Sequence, residues 1–128
     1  GVQTCALPIS HTFFYDKGVG DVASMLRYAG SDLSHVLIAD TRNHTKHCRY
    51  IVNPPGVDAV VHQHVGVGEG DVDFDALFRT LREMKFAEQT FKVGGEPIVA
   101  TSLFGYPEKM KYQAVETREL IERELLRR

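Results

Sequence analysis

Short apolar runs alternate with helix-period stretches along this chain, and that alternation constrains the fold more than any other feature. Residues 35–39 (HVLIA) are almost continuously apolar, the pattern of a parallel strand buried on both faces. Residues 98–104 (IVATSLF) read the same way, and residues 10–15 (SHTFFY) read as a shorter, aromatic-rich strand. Asp21 is placed to cap a helix through Ala29, with Val22, Met25, Leu26 and Ala29 on one face and Gly30 closing it. Asp73 or Asp75 caps a second helix whose apolar face is Phe74, Leu77, Phe78, Leu81 and Met84. Pro107 opens a last helix that runs to about Leu126, with Val115, Leu120, Ile121 and Leu125 as core positions. The order is strand, helix, strand, long loop, helix, strand, helix, which predicts βα units on a parallel sheet. Three such strands with helices on one side would leave open edges and a bare apolar face. Part of the sheet is therefore expected to be missing.

The length of 128 residues suggests one domain, and 43% apolar with 25% charged residues is ordinary for a globular protein. There is no apolar run of about 20 residues, so no membrane span is expected. A formal net charge of −2 argues against a nucleic-acid surface, which needs a basic patch. Cys5 and Cys48 stand in no motif, so a reduced, cytoplasmic setting is the expectation. Residues 1–9 (GVQTCALPI) fit nothing that follows and read as a non-native leader, with the domain proper covering residues 10–128.

In βα architectures reactive groups collect at the C-terminal ends of strands and in the loops behind them. Five of the six histidines lie between positions 35 and 64, the least random feature of the sequence. Imidazole is a ready metal ligand and titrates near neutrality. His62 and His64 are two apart, so on an extended segment they face the same way and could act as a pair. Asp40 closes an apolar strand, where a carboxylate can orient a hydroxyl or accept a proton, or serve as a turn residue. Glu69, between Gly68 and Gly70, reads as a turn residue. Gly66, Gly68 and Gly70 precede a helix, but Asp71, Asp73 and Asp75 crowd that start and compete with any phosphate for its N–H donors.

Four segments together resemble the xylose isomerase-like TIM barrels: residues 35–41 (HVLIADT), 49–56 (RYIVNPPG), 62–64 (HQH) and 68–74 (GEGDVDF). The likeness is strongest to the sugar phosphate isomerase/epimerase branch associated with inositol catabolism. It implies an α/β chain forming the C-terminal portion, about three βα units, of a (β/α)8 TIM barrel. It also implies acid/base proton transfer beside a carbonyl on a sugar or inositol-derived substrate, assisted by a divalent metal (Mn, Mg, Zn or Co). On the resemblance, Asp40 and His64 are catalytic, Lys46 and His62 contact the substrate, and His11 and His35 hold the metal. The sequence departs from the family's usual ligand set at Leu37 and at Ser102. Those departures suit a rival reading, a metal-free barrel that binds a polyol without catalysis. A third reading is a metal-dependent hydrolase like the endonucleases of the same barrel. The expected partner is a small sugar or polyol, and a homo-oligomer is open for the full-length form.

Overall fold

The computed structural model describes residues 5–10, 21–41, 64–91, 95–101, 103 and 107–126. Three strands form one sheet: β1 (Cys5–Pro8), β2 (Leu33–Ile38) and β3 (Ile98–Thr101), in spatial order β1-β2-β3 and all parallel. Sequential order with parallel pairing is the arrangement of consecutive βα units curling one way, as in an α/β barrel.

β1 corrects the sequence reading in two respects. Residues 1–9 were expected to fit nothing that follows, yet Cys5–Pro8 pairs in parallel with β2 and Ile9 is fully buried in the core. A strand was expected at residues 10–15, but Ile9 and Ser10 already start a helical turn. Residues 11–15 lie outside the described residues. β1 lies at one end of the strand order among the described residues, a position that tolerates Pro8.

The helices follow their caps. Helix α1 (Val22–Ala29) starts at Asp21, whose carboxylate accepts from the Ser24 N–H at 3.3 Å and from Ser24 Oγ at 2.7 Å. It stops at Gly30, where φ is +58°, a conformation glycine takes without steric cost. Helix α2 (Phe74–Glu83) is capped by Asp73, which accepts from the Ala76 N–H at 2.9 Å. Helix α3 (Pro107–Ile121) continues into a π-helical turn, Glu122–Leu126. Val115 was expected in the core but is 52% exposed. Thr117 is the buried residue of that helix, and at 100° per residue Val115 points about 200° away from it.

One apolar layer holds these elements together. Leu33, Val36 and Ile38 of β2 pack with Val22 and Leu26 of α1 and with Leu77, Phe78 and Leu81 of α2. Phe86, in a 3₁₀ turn after α2, seals one end and is 1% exposed. Each fully buried Leu, Ile or Phe is worth about 1.5–3 kcal/mol of transfer free energy. Among the described residues, the other face of the sheet is less covered along its three strands, although Ala39 and Thr41 beyond β2 are buried. Register places Ala6, His35 and Ile98 side by side there, then Pro8, Leu37 and Ala100. Ala6 is exposed, Ile98 is 43% exposed, and the other four are half-buried. In a closed barrel this face is the lumen.

Candidate functional site

The C-terminal end of β2 is where the chain gathers polar groups. Two residues beyond Ile38, Asp40 forms an isolated antiparallel bridge with Val65. The Asp40 N–H donates to the Val65 carbonyl at 2.8 Å, and the Val65 N–H returns to the Asp40 carbonyl at 3.0 Å. That bridge brings the segment carrying His64 back onto the end of β2, with His64 opposite Thr41. Successive side chains on an extended strand point to opposite faces. The Asp40 carboxylate therefore faces the helix layer, with Val36 and Ile38. By the same alternation His64, level with Thr41, is placed on the face opposite the Asp40 carboxylate, where Ala39 and Thr41 are buried.

The Asp40 side chain is fully buried and its oxygens are occupied. Oδ1 accepts from the N–H groups of Thr41 (2.8 Å) and Val72 (3.1 Å). Oδ2 accepts from Gly68 and Gly70, both at 2.9 Å. A carboxylate has about four lone-pair sites, and here four backbone donors use them. Burial pushes the Asp40 carboxyl above its ordinary value, against the pull of those four donors. To accept a proton from substrate it would first have to release a backbone bond.

The glycines make this approach possible. A Cβ on Gly70 would collide with Asp40 Oδ1 and with the Thr41 carbonyl. Gly68 has a φ of +92°, outside the range side-chain-bearing residues readily adopt. From the other side, Glu69 ties the segment to α3: Lys109 Nζ reaches Glu69 Oε1 at 2.6 Å, and the Gly66 N–H donates to Oε2 at 3.2 Å. The bond from Lys109 holds the Glu69 carboxyl below its ordinary value, against partial burial, with help from Gln113. At the end of β3, Thr101 Oγ1 donates to the Ile38 carbonyl at 2.7 Å, pinning the ends of β2 and β3 together.

His35 sits elsewhere. It is the third residue of β2, five residues before Asp40, or about 16 Å at the usual strand rise. Its Nδ1 lies 2.7 Å from Ser34 Oγ. The mouth of a βα sheet is at the other end of the strand, so His35 does not join Asp40 and His64. Lys46, His62 and His11 lie outside the described residues. Among the described residues no three His, Cys, Asp or Glu side chains gather as metal donors, and the placement of His35 does not fit an ion at the strand ends.

Grooves flank the sheet at both ends. One of about 500 Å³ lies beside Phe86, Gln89, Pro97 and Leu125, at the entry to β3 and away from His64. One of about 370 Å³ lies at the exit of β3, between Thr101, Leu103, Pro107 and Met110. Sequence reading missed the hold of Asp40 on the glycine segment. The signal was there in the spaced glycines at 66, 68 and 70, whose missing side chains allow a carboxylate to reach backbone N–H groups.

No curated protein and no solved structure matches the chain significantly. The family model described as a xylose isomerase-like TIM barrel matches residues 5–98. That span covers most of the 128 residues, including β1, β2, the bridge at Asp40 and the first residue of β3. The parallel sheet, the helices on one side of it and the polar gathering at the strand ends all agree with that match, and the chain belongs to the xylose isomerase-like TIM-barrel family.

Proposed function

We propose that the chain is the C-terminal part of a sugar isomerase/epimerase barrel, of the sugar phosphate branch associated with inositol catabolism. His64 moves a proton at a carbon beside a carbonyl of a sugar or inositol-derived substrate. The observation that carries this reading is the bridge between Asp40 and Val65, which brings the backbone next to His64 to the C-terminal end of β2. That is where barrels of this type keep their chemistry, and the family includes sugar isomerases and epimerases. Imidazole is the commonest side chain in general acid/base catalysis. Lys46 and His62 are assigned to the substrate's polar groups. Because the described donors do not fit a divalent ion, no step is routed through one.

Deuterium wash-in tests the reading. The full-length protein carrying these residues is incubated in heavy water with a panel of ketoses, aldoses and inosose-type ketones, and exchange beside the carbonyl is followed by NMR. Exchange that His64→Gln lowers by about 10²–10⁴-fold, the usual size of a general-base effect, supports it. Polyol binding without any exchange would favour the non-catalytic barrel. Leu37 supports that second reading, because an apolar side chain stands on the open face where the family's pattern has a ligand.

The sparse cover of this face among the described residues also supports the fragment reading. A three-stranded parallel arc with an apolar lumen side needs further βα units to remove its edges.

A further inference from the structure

We infer that Asp40 is a positioning residue, whose carboxylate fixes residues 65–72 as one unit and thereby sets His64 at the strand ends. The inference rests on the proposed role of His64. Asp40 grips the segment in two ways. Its main chain exchanges two hydrogen bonds with Val65, the residue next to His64. Its side chain takes the N–H groups of Gly68, Gly70 and Val72, three points along the loop. The Asp71 N–H adds a bond to the Thr41 carbonyl at 2.9 Å. Glu69 holds the same loop from α3 through Lys109. Asp40 cannot share a reacting atom with His64, because the bridge turns the two side chains to opposite faces. Its effect on chemistry must pass through backbone placement, where an error of about 1 Å can cost about 10²-fold in rate.

The two oxygens of Asp40 are not equivalent. Oδ1 serves the buried Thr41 and Val72, whereas Oδ2 serves Gly68 and Gly70 nearer the surface. In Asp40→Asn the amide oxygen should keep the buried pair. The NH₂ group then faces the Gly68 and Gly70 donors, for which water can substitute.

Amide exchange measured by NMR on the unaltered chain comes first. The Gly68, Gly70 and Val72 amides should exchange at least about tenfold more slowly than the solvent-facing amides of the same loop. Equal rates would overturn the inference. In Asp40→Asn, protection of Gly68 and Gly70 should fall while Val72 keeps its own, and the carbon-bound ring protons of His64 should shift at fixed pH. The wash-in assay should then show kcat falling about 10- to 100-fold with KM nearly unchanged. If Asp40→Asn does not fold, Gly70→Ala perturbs the same grip from the opposite side with the charge intact, and the same shifts are expected. An unmoved His64 spectrum in a variant that has lost Gly68 and Gly70 protection would overturn the inference. The two proposals fail separately. If His64→Gln leaves wash-in unchanged while Asp40→Asn still moves the His64 ring, only the proposed function falls.

Discussion

Gly70 and Gly66 flank the same loop, yet alanine at the two positions should have very different consequences. At Gly70 the new methyl meets Asp40 Oδ1 and the Thr41 carbonyl, both on fully buried residues held by several bonds. Neither can rotate away. Overpacking of this kind costs about 1–3 kcal/mol. The shift that relieves it stretches the 2.9 Å bond from the Gly70 N–H to Asp40, a charge-assisted bond worth about 1.5–3 kcal/mol. The unfolded chain loses entropy on Gly→Ala, which returns about 0.4–1 kcal/mol. The net loss is about 3 kcal/mol. At Gly66 the nearest atoms belong to the far end of the Gln113 side chain, which can swing aside for about 0.5–1.5 kcal/mol. That swing also gives up the Gln113 bond to Glu69, worth about 0.5–1.5 kcal/mol, and the same entropic return offsets part of the total, so Gly66→Ala should cost about 1 kcal/mol. Urea unfolding followed by circular dichroism reads both. With an m-value of about 1.5 kcal/mol/M, Gly70→Ala should lower the midpoint by about 2 M and Gly66→Ala by about 0.7 M. Equal midpoints for the two variants would refute the account of Asp40 as the fixed wall behind Gly70.

The tie between Glu69 and Lys109 predicts an acid-sensitive limb of stability. The Glu69 carboxyl sits below its ordinary value in the fold, so its contribution is present above the ordinary carboxylate value and is lost as pH falls through the folded value. Asp21 has the same sign through its bonds to Ser24, whereas Asp40, raised by burial, contributes most in acid and declines as pH rises through its folded value. Unfolding midpoints from pH 6 to pH 3 for the parent and Glu69→Gln should therefore converge in acid; a constant gap between them would remove the tie from the account. The sparsely covered sheet face predicts self-association of the chain on its own. Size exclusion should place it above its monomer mass of 14.4 kDa, and a compact monomer at high concentration would count against the fragment reading.

Legibility in the sequence followed the range of the forces involved. Caps are local, so Asp21, Gly30 and Asp73 marked their helix ends correctly: each acts within four residues of itself. The core faces of α1 and α2 were readable from period alone, because one stripe of each meets β2. β1 was not readable. Four residues containing a proline carry no period, and only the pairing with Leu33–Ile38 makes them a strand. Val115 failed for a related reason: α3 has a weak apolar stripe, and Thr117 rather than a valine faces inward. His35 was drawn to the metal by the family resemblance, whereas strand position decides which end of the sheet a side chain reaches. Asp40 was picked out as the residue closing a strand, but its role depended on Gly68, Gly70 and Val72, about thirty residues away.

Register at the Asp40 bridge has a consequence for the placement of His64. Side chains alternate with period two, so sliding the 64–72 segment by one residue against Asp40 would turn His64 toward the helix layer and Val65 toward the opposite face. An isolated bridge, with two backbone bonds, is too short to fix that choice by itself. The Asp40 carboxylate favours one alignment, because three of its four donors, the N–H groups at 68, 70 and 72, come from that segment. A slipped segment would present residues 69 and 71, where a side chain stands in place of the missing Cβ that lets Gly70 approach. The buried charge, costly to fold by itself, thus discriminates between two registers that burial of Val65 alone would separate weakly. Specificity of placement, more than net stability, is what a buried carboxylate surrounded by backbone donors can supply.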